Sequence, residues 1–261
     1  MHSERRIVVG VGIEVAFVGP PTGSPTLVLL HEGLGSVSTW RDFPRQLSEA
    51  TGHRVLVTSR AGYGDSDPVP LPRPLSYMED EAHGPLPALL DALALDDVVL
   101  VGHSDGASIA LAYAATAHAA GRLRGLVLEA PHVFCEDRSV EAIERTKEQY
   151  LHGDLRRRLA RHHRDVDVAF WGWNRAWLDP SFRRFDLQRF LPGVRVPTLL
   201  LQADDDPYGT LAQLDAIERG VRAPVVRHVL TGGGHAPHRE RTAEVLPLIA
   251  TFVAGLPPSG R

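Results

Sequence analysis

The chain of 261 residues has a single cysteine, Cys135. One thiol excludes an intrachain disulfide and a cysteine-rich metal site, and it carries no mark of secretion. Long apolar runs are missing as well. Residues 1–6 are polar and charged, and the apolar stretch over 7–18 is broken by glycines and Glu14. Neither a signal peptide nor a membrane span fits that pattern, so the cytoplasm is the expected location. Excess positive charge is absent too. A formal net charge of -4 gives no electrostatic case for nucleic acid or an anionic membrane as partner. No H-E-x-x-H and no G-x-x-x-x-G-K-S/T occurs, so neither a metal nor a nucleotide cofactor is expected. Residues 257–261 read as a frayed end.

What is present suits one soluble α/β domain: 43% hydrophobic and 23% charged residues. Apolar, β-branched runs predict strands over 7–11, 13–18, 26–30, 54–58, 98–101, 123–128, 197–201 and 225–230. The first two read as an antiparallel pair hinged at Gly12. Helical spacing predicts helices over 40–50, over 77–93 with an interruption at Gly84-Pro85, over 107–120, over 211–219, and a last one striped by Val245, Leu248, Ile249, Phe252, Val253 and Leu256. Strands alternating with helices imply a mostly parallel sheet covered on both faces.

One region breaks the alternation. Residues 131–193 hold no convincing buried strand and read as helices over 140–150, 155–163, 166–175 and 180–190. Three of the four tryptophans fall here, Trp171, Trp173 and Trp177. An insertion after a strand's carboxyl end sits over the site of an open α/β sheet. Residues 132–193 are therefore expected to form a helical cap on a core of residues 1–131 and 194–261, with Trp171 and Trp173 as walls of a substrate pocket.

The chemistry centres on Gly102-His103-Ser104-Asp105-Gly106. The pentapeptide lies between an apolar run, 98–101, and an Ala-rich helical segment. This is G-x-S-x-G with a strand before it and a helix after it, the setting that pushes a serine out on a sharp turn. Side chains at Gly102 and Gly106 would collide with the neighbouring strand and helix. The serine hydroxyl also meets the amino end of a helix, where negative charge is favoured. A serine needs a base to take its proton. Gly232-Gly233-Gly234-His235 follows the last strand, and Asp204-Asp205-Asp206 follows an earlier one. The order serine, aspartate, histidine, each after a strand's carboxyl end, is that of one class of hydrolytic triad.

Five motifs now stand in order: H-E-G-L-G-S at His31, R-A-G-Y-G-D-S at Arg60, G-H-S-D-G at Gly102, Q-A-D-D-D-P-Y-G at Gln202 and G-G-H at Gly233. By them the chain resembles the α/β-hydrolase superfamily with a helical cap. Within it, the chain looks most like the small carboxylesterase group that includes valacyclovir hydrolase and biphenyl hydrolase-like proteins. The resemblance implies an eight-stranded, mostly parallel sheet with helices on both faces. It implies Ser104 as nucleophile, His235 as base and Asp206 as acid, the last from a G-x-x-D motif whose glycine is here Ala203. It implies an oxyanion hole from the backbone N–H groups of Gly33 and Asp105. Relatives carry glycine where this chain has Glu32, so that carboxylate must point away from the oxyanion or be paired, as with Arg60. Glu32 and Asp105 are also candidate substrate-binding residues, since in the valacyclovir hydrolase-like enzymes an acid beside the nucleophile can bind an α-amino group.

The expected activity is cofactor-free hydrolysis of a small-molecule ester or thioester through an acyl-serine. Carbon–carbon bond hydrolysis of a ring-cleavage diketone uses the same triad, and a non-catalytic small-molecule receptor could keep the same fold. A haloalkane dehalogenase is disfavoured, because its nucleophile position would be aspartate and here it is Ser104.

Overall fold

The computed structural model describes residues 2–257. Of the stretch expected to fray, residues 258–261 lie outside the described residues. Strands β1 (Glu4–Val8), β2 (Val11–Val18), β3 (Thr26–Leu30), β4 (Val55–Ser59), β5 (Val98–His103), β6 (Leu123–Glu129), β7 (Thr198–Ala203) and β8 (Val225–Leu230) form one sheet. Its order is β1-β2-β4-β3-β5-β6-β7-β8. β2 runs antiparallel to β1 and β4, and every other neighbouring pair is parallel. The eight-stranded, mostly parallel sheet implied by the resemblance is thus present.

The central strands are apolar throughout because both of their faces are covered. Successive side chains point to opposite faces. In β3, Leu27 and Leu29 pack with Phe43 and Leu47 of α1 (Phe43–Thr51) and with Val245, Ile249 and Val253 of α10 (Thr242–Ala254). Val28 and Leu30 face the other core, with Leu86 and Leu90 of α3 (Pro85–Ala92) and Ile109 and Leu111 of α4 (Asp105–Ala114). Every residue of α4 is buried, and its alanines let the helix lie close to the sheet.

Several boundaries differ from the sequence expectation for local reasons. The first hairpin turns at Val9-Gly10, not at Gly12, which pairs with Ile7 inside the ladder. Val9 and Gly10 both have positive φ, 49° and 80°, as a two-residue hairpin turn matching strand twist requires. Helix α1 begins after a 3₁₀ turn at Val37–Trp40, with Pro44 in its first turn. The predicted helix over 77–93 is two, α2 (Tyr77–His83) and α3, with Pro85 opening the second. Helix α4 stops at Ala114, where the Thr116 hydroxyl bonds back to the Tyr113 carbonyl.

Between β6 and β7 stand α5 (Asp137–His152), α6 (Leu155–Leu159) and α7 (Val166–Trp177), and then two 3₁₀ turns, Pro180–Arg184 and Gln188–Gly193, in place of a predicted helix over 180–190. Helix α6 ends before His163. That imidazole accepts from Gly64 N at 3.0 Å and donates to the Leu34 carbonyl at 3.0 Å. The remaining helices are α8 (Ala212–Gly220) and the short α9 (Pro237–Glu240). Among the described residues, no helix is long and apolar enough to cross a membrane.

Candidate active site

The strand order reverses between β3 and β5, and an open parallel sheet offers its binding crevice outside the carboxyl ends at such a point. β3 and β5 pair in parallel with Leu30 opposite Gly102. The loop starting at His31 and the turn at Ser104 therefore leave the sheet side by side. Ser104 has φ 53° and ψ -119°, a conformation that costs a non-glycine residue on the order of 1–3 kcal/mol. The turn is closed on both sides by glycine. A Cβ on Gly106 would overlap the carbonyl of Leu30, and one on Gly102 would overlap Gly106 and Ala107 backbone atoms. These are backbone clashes that no rotamer relieves.

Three side chains that end separate strands come together. Ser104 Oγ lies 2.9 Å from His235 Nε2. His235 Nδ1 lies 2.9 and 3.0 Å from the two oxygens of Asp206. Asp206 is fully buried, and it also accepts from Tyr208 N at 2.8 Å. Burial opposes its ionisation, but the charge and hydrogen bond of His235 outweigh burial and hold its pKa below the usual carboxylate value. The neighbouring aspartates do other work. Asp204 accepts from Gly232 N and Asp205 from Gly234 N, at 2.9 and 2.8 Å, fixing the glycine turn that delivers His235.

The amides of Gly33 and Asp105 have no acceptor among the described residues. Asp105 opens α4, where amide donors are orphaned by helix geometry. Gly33 is confined from above: a Cβ there would overlap the indole nitrogen of Trp173. His31 is buried, donating through Nδ1 to the Glu32 carbonyl and accepting from Arg60 N through Nε2. Burial, then the Arg60 charge, push its pKa well below the ordinary value, so it is neutral.

Glu32 does not pair with Arg60. The Arg60 guanidinium donates to the carbonyls of His31 and Glu32, at 2.5 and 3.1 Å. The Glu32 carboxylate folds back over Gly35 toward His103, with 3.6 Å between Oε2 and Nδ1. That distance is an ion contact, longer than a hydrogen bond. His103 uses its other nitrogen to donate to the His235 carbonyl at 2.6 Å. Burial opposes both charged forms, yet the contact overrides it, raising His103 and holding Glu32 well below the usual carboxylate range. Glu129 and His238, themselves joined at 2.9 Å, flank the pair. The sign of the pH effect follows. His103 contributes fully below the ordinary histidine value of about 6.5 and loses its contribution as pH rises through its raised folded pKa. Glu32 contributes above the ordinary carboxylate value and loses its share only as pH falls through its lowered one. Glu32→Gln should therefore lower Tm at pH 6, with the gap to the native protein narrowing as pH rises through the raised His103 value. A gap constant from pH 6 to 9 in thermal unfolding would show that the pair is not charged.

The cavity around Ser104 has a volume of about 170 Å³. Glu32, Gly33, Asp105 and Trp173 line it. Trp171 does not; its indole stacks under Arg175 and meets Tyr150 edge-on. Sequence reasoning did not assign this wall to His132, Ser139, Ile143, Trp177 and Tyr208. Trp173 and Trp177 stand four apart on α7 and share a face, a periodicity that was there to be used. Asp105 is held by a residue no motif marked. Tyr77 donates to its Oδ2 at 2.5 Å and itself accepts from Trp177 Nε1 at 3.0 Å. Asp105 Oδ1 is buried without a partner. Burial raises the Asp105 pKa, with Arg60 and Tyr77 acting against it. His132 is kept neutral by burial and by the nearby His235, its pKa brought down to about 4.

The chain as a whole is similar to known proteins. A family model for the alpha/beta hydrolase family matches residues 27–248. A proline iminopeptidase from Lactobacillus helveticus is 25% identical over 277 residues, covering 90% of this chain and 92% of that one. A 2-hydroxy-6-oxononadienedioate/2-hydroxy-6-oxononatrienedioate hydrolase from Dechloromonas aromatica is 35% identical over 95 residues, 36% of this chain and 32% of that one. Among solved structures, an esterase from Exiguobacterium antarcticum superposes with a TM-score of 0.77 at 20% identity, over 97% of this chain and 100% of the other. By its matched residues and by its sheet, the chain belongs to the α/β-hydrolase family.

Proposed function

We propose that the protein is a cofactor-independent serine hydrolase that cleaves a carboxylic ester of a small molecule. The observation that carries this reading is the unbroken line of contacts from Ser104 Oγ through His235 to Asp206, at 2.9 Å each, beside two amides with no internal acceptor. His235 Nε2 takes the Ser104 proton as Oγ bonds to the ester carbon. The N–H groups of Gly33 and Asp105 meet the carbonyl oxygen as it gains charge. On collapse, the bond to the leaving oxygen breaks and His235 hands it the proton, releasing an alcohol and leaving an acyl-serine. Water, deprotonated by His235, then releases the acid. Asp206 keeps the imidazole in the required tautomer and stabilises its charged form. A thioester enters the same sequence with a thiol as leaving group.

The cavity supports a small acyl group, since 150 Å³ holds a benzene molecule and this one is about 170 Å³. Its lining includes two carboxylates, Glu32 and Asp105, and no lysine or arginine. That disfavours a dioate, the substrate class named for the Dechloromonas relative, because each carboxylate would enter a desolvated site without a counter-charge. Chromogenic esters of graded acyl length, assayed beside a dienone dioate and proline p-nitroanilide, test the reading. Turnover of short-chain esters above the other two is expected. Cleavage of the dioate alone would replace the ester reading with carbon–carbon hydrolysis, and tight ligand binding without turnover would point to a receptor.

The unpartnered Asp105 Oδ1 favours a narrower class, esters bearing an amine. A buried carboxylate oxygen with no donor is costly, and a substrate ammonium would supply one. A charge-assisted hydrogen bond is worth about 1.5–3 kcal/mol, or roughly 10- to 100-fold in kcat/KM. An α-amino acid ester should exceed its des-amino analogue by that factor, and Asp105→Asn should abolish the difference. Equal rates for the two esters in the native enzyme would exclude Asp105 as an amine receptor.

A further inference from the structure

A second cavity, of about 340 Å³, shares no lining residue with the one around Ser104. It lies between the first hairpin and α3. Val8, Val11, Ile13, Leu86, Leu89 and Ile109 give it apolar walls. Two further observations set it apart from a packing void. Glu81 also lines it and has no hydrogen-bond or ion-pair partner among the described residues. Arg60, 4% exposed, forms part of the wall, and its Nε is buried without an acceptor.

The head group of an occupant is limited by charge. A ligand carboxylate would face the Glu81 carboxyl. A ligand ammonium would face Arg60, whose guanidinium forms part of the same wall. A hydroxyl carries no charge, can donate to the half-buried Glu81 carboxyl and can accept from the buried Arg60 Nε. As for size, an apolar cavity of 150 Å³ holds benzene, so 340 Å³ has room for roughly eight to twelve heavy atoms. We infer that this cavity binds a neutral medium-chain alcohol, its chain among the hairpin and α3 side chains and its hydroxyl donated to Glu81.

Occupancy is wired to the other site through Arg60. The same guanidinium that lines the cavity grips the carbonyls of His31 and Glu32, the peptides just before the Gly33 amide. An effect on turnover rests on the proposed ester chemistry; the binding itself does not.

The test is direct binding to the intact protein, by calorimetry, of 1-octanol, octanoate and octylamine. Saturable octanol binding is expected, at least 10-fold tighter than either charged analogue. Glu81→Leu should weaken octanol at least 10-fold. Glu81→Gln keeps an acceptor and removes the charge, so it should keep octanol and begin to admit octanoate. Ile143→Trp, which fills the cavity around Ser104, should leave octanol unchanged. Octanoate binding as tightly as octanol, indifference to both Glu81 variants, or loss of octanol in Ile143→Trp would each overturn the assignment. Activity assays are not needed for any of these outcomes, so failure of the ester reading would be seen separately.

Discussion

Ser104→Ala should lower kcat on the best ester by on the order of 10⁴- to 10⁶-fold, with little change in KM. The size of the effect follows from geometry. The hydroxyl at 2.9 Å from His235 is the group that would form the covalent bond, and alanine leaves only the amide donors and the cavity walls. Those retain a residual rate of about 10³ to 10⁴ over water in such sites. The variant should fold, since the strained turn is set by Gly102 and Gly106 and not by the hydroxyl. A fluorophosphonate should label the native protein at Ser104 and leave the variant unlabelled, read by mass spectrometry of peptides. Labelling at another residue, or an active Ser104→Ala, would sink the proposed mechanism. His235→Ala should match it in size, because nucleophile and base act as one unit and their losses do not add.

The second large effect separates three adjacent aspartates. Asp206→Asn should cost about 10⁴-fold in kcat, while Asp204→Asn and Asp205→Asn should each stay within about 10-fold of the native rate. An asparagine at 206 can still fill the space, but its amide presents a donor to Nδ1 and so favours the tautomer with the proton on Nε2, which cannot accept from Ser104. Among the described residues, the side chains of Asp204 and Asp205 hydrogen-bond only to the backbone of Gly232 and Gly234. Losing one of those bonds loosens the turn that carries His235 without altering the imidazole's proton. The measurement is kcat at saturating ester for all three variants, with thermal unfolding to confirm that each folds. A loss at Asp205 as large as that at Asp206 would mean that loop position, not charge beside the imidazole, limits the rate.

The local pattern of the chain determined a great deal. Apolar strands of the right length, helices with one apolar face, and glycines flanking a serine are short-range signals, and each was legible because its cause lies within a few residues. The glycines at 102 and 106 could be read as obligatory, since the turn they bound is steric. Local reading failed where two conformations were open. Gly12 tolerates a turn without demanding one, and the hairpin instead bends at Val9, because the pairing of Val8 with Val11 leaves only two residues between them. Composition points to Trp171 with Trp173, where helical spacing selects Trp177.

Only the tertiary structure decided who meets whom across the sheet. Glu32 was visible as a departure, but its partner His103 was not, because their contact depends on β3 and β5 leaving the sheet side by side. Tyr77 reaches Asp105 only because α2 packs on α4. The division has one physical reason. Sterics and hydrophobic periodicity act along the chain and can be read from it, whereas the partner of a buried charge is set by the register of strands and the packing of helices far apart in sequence.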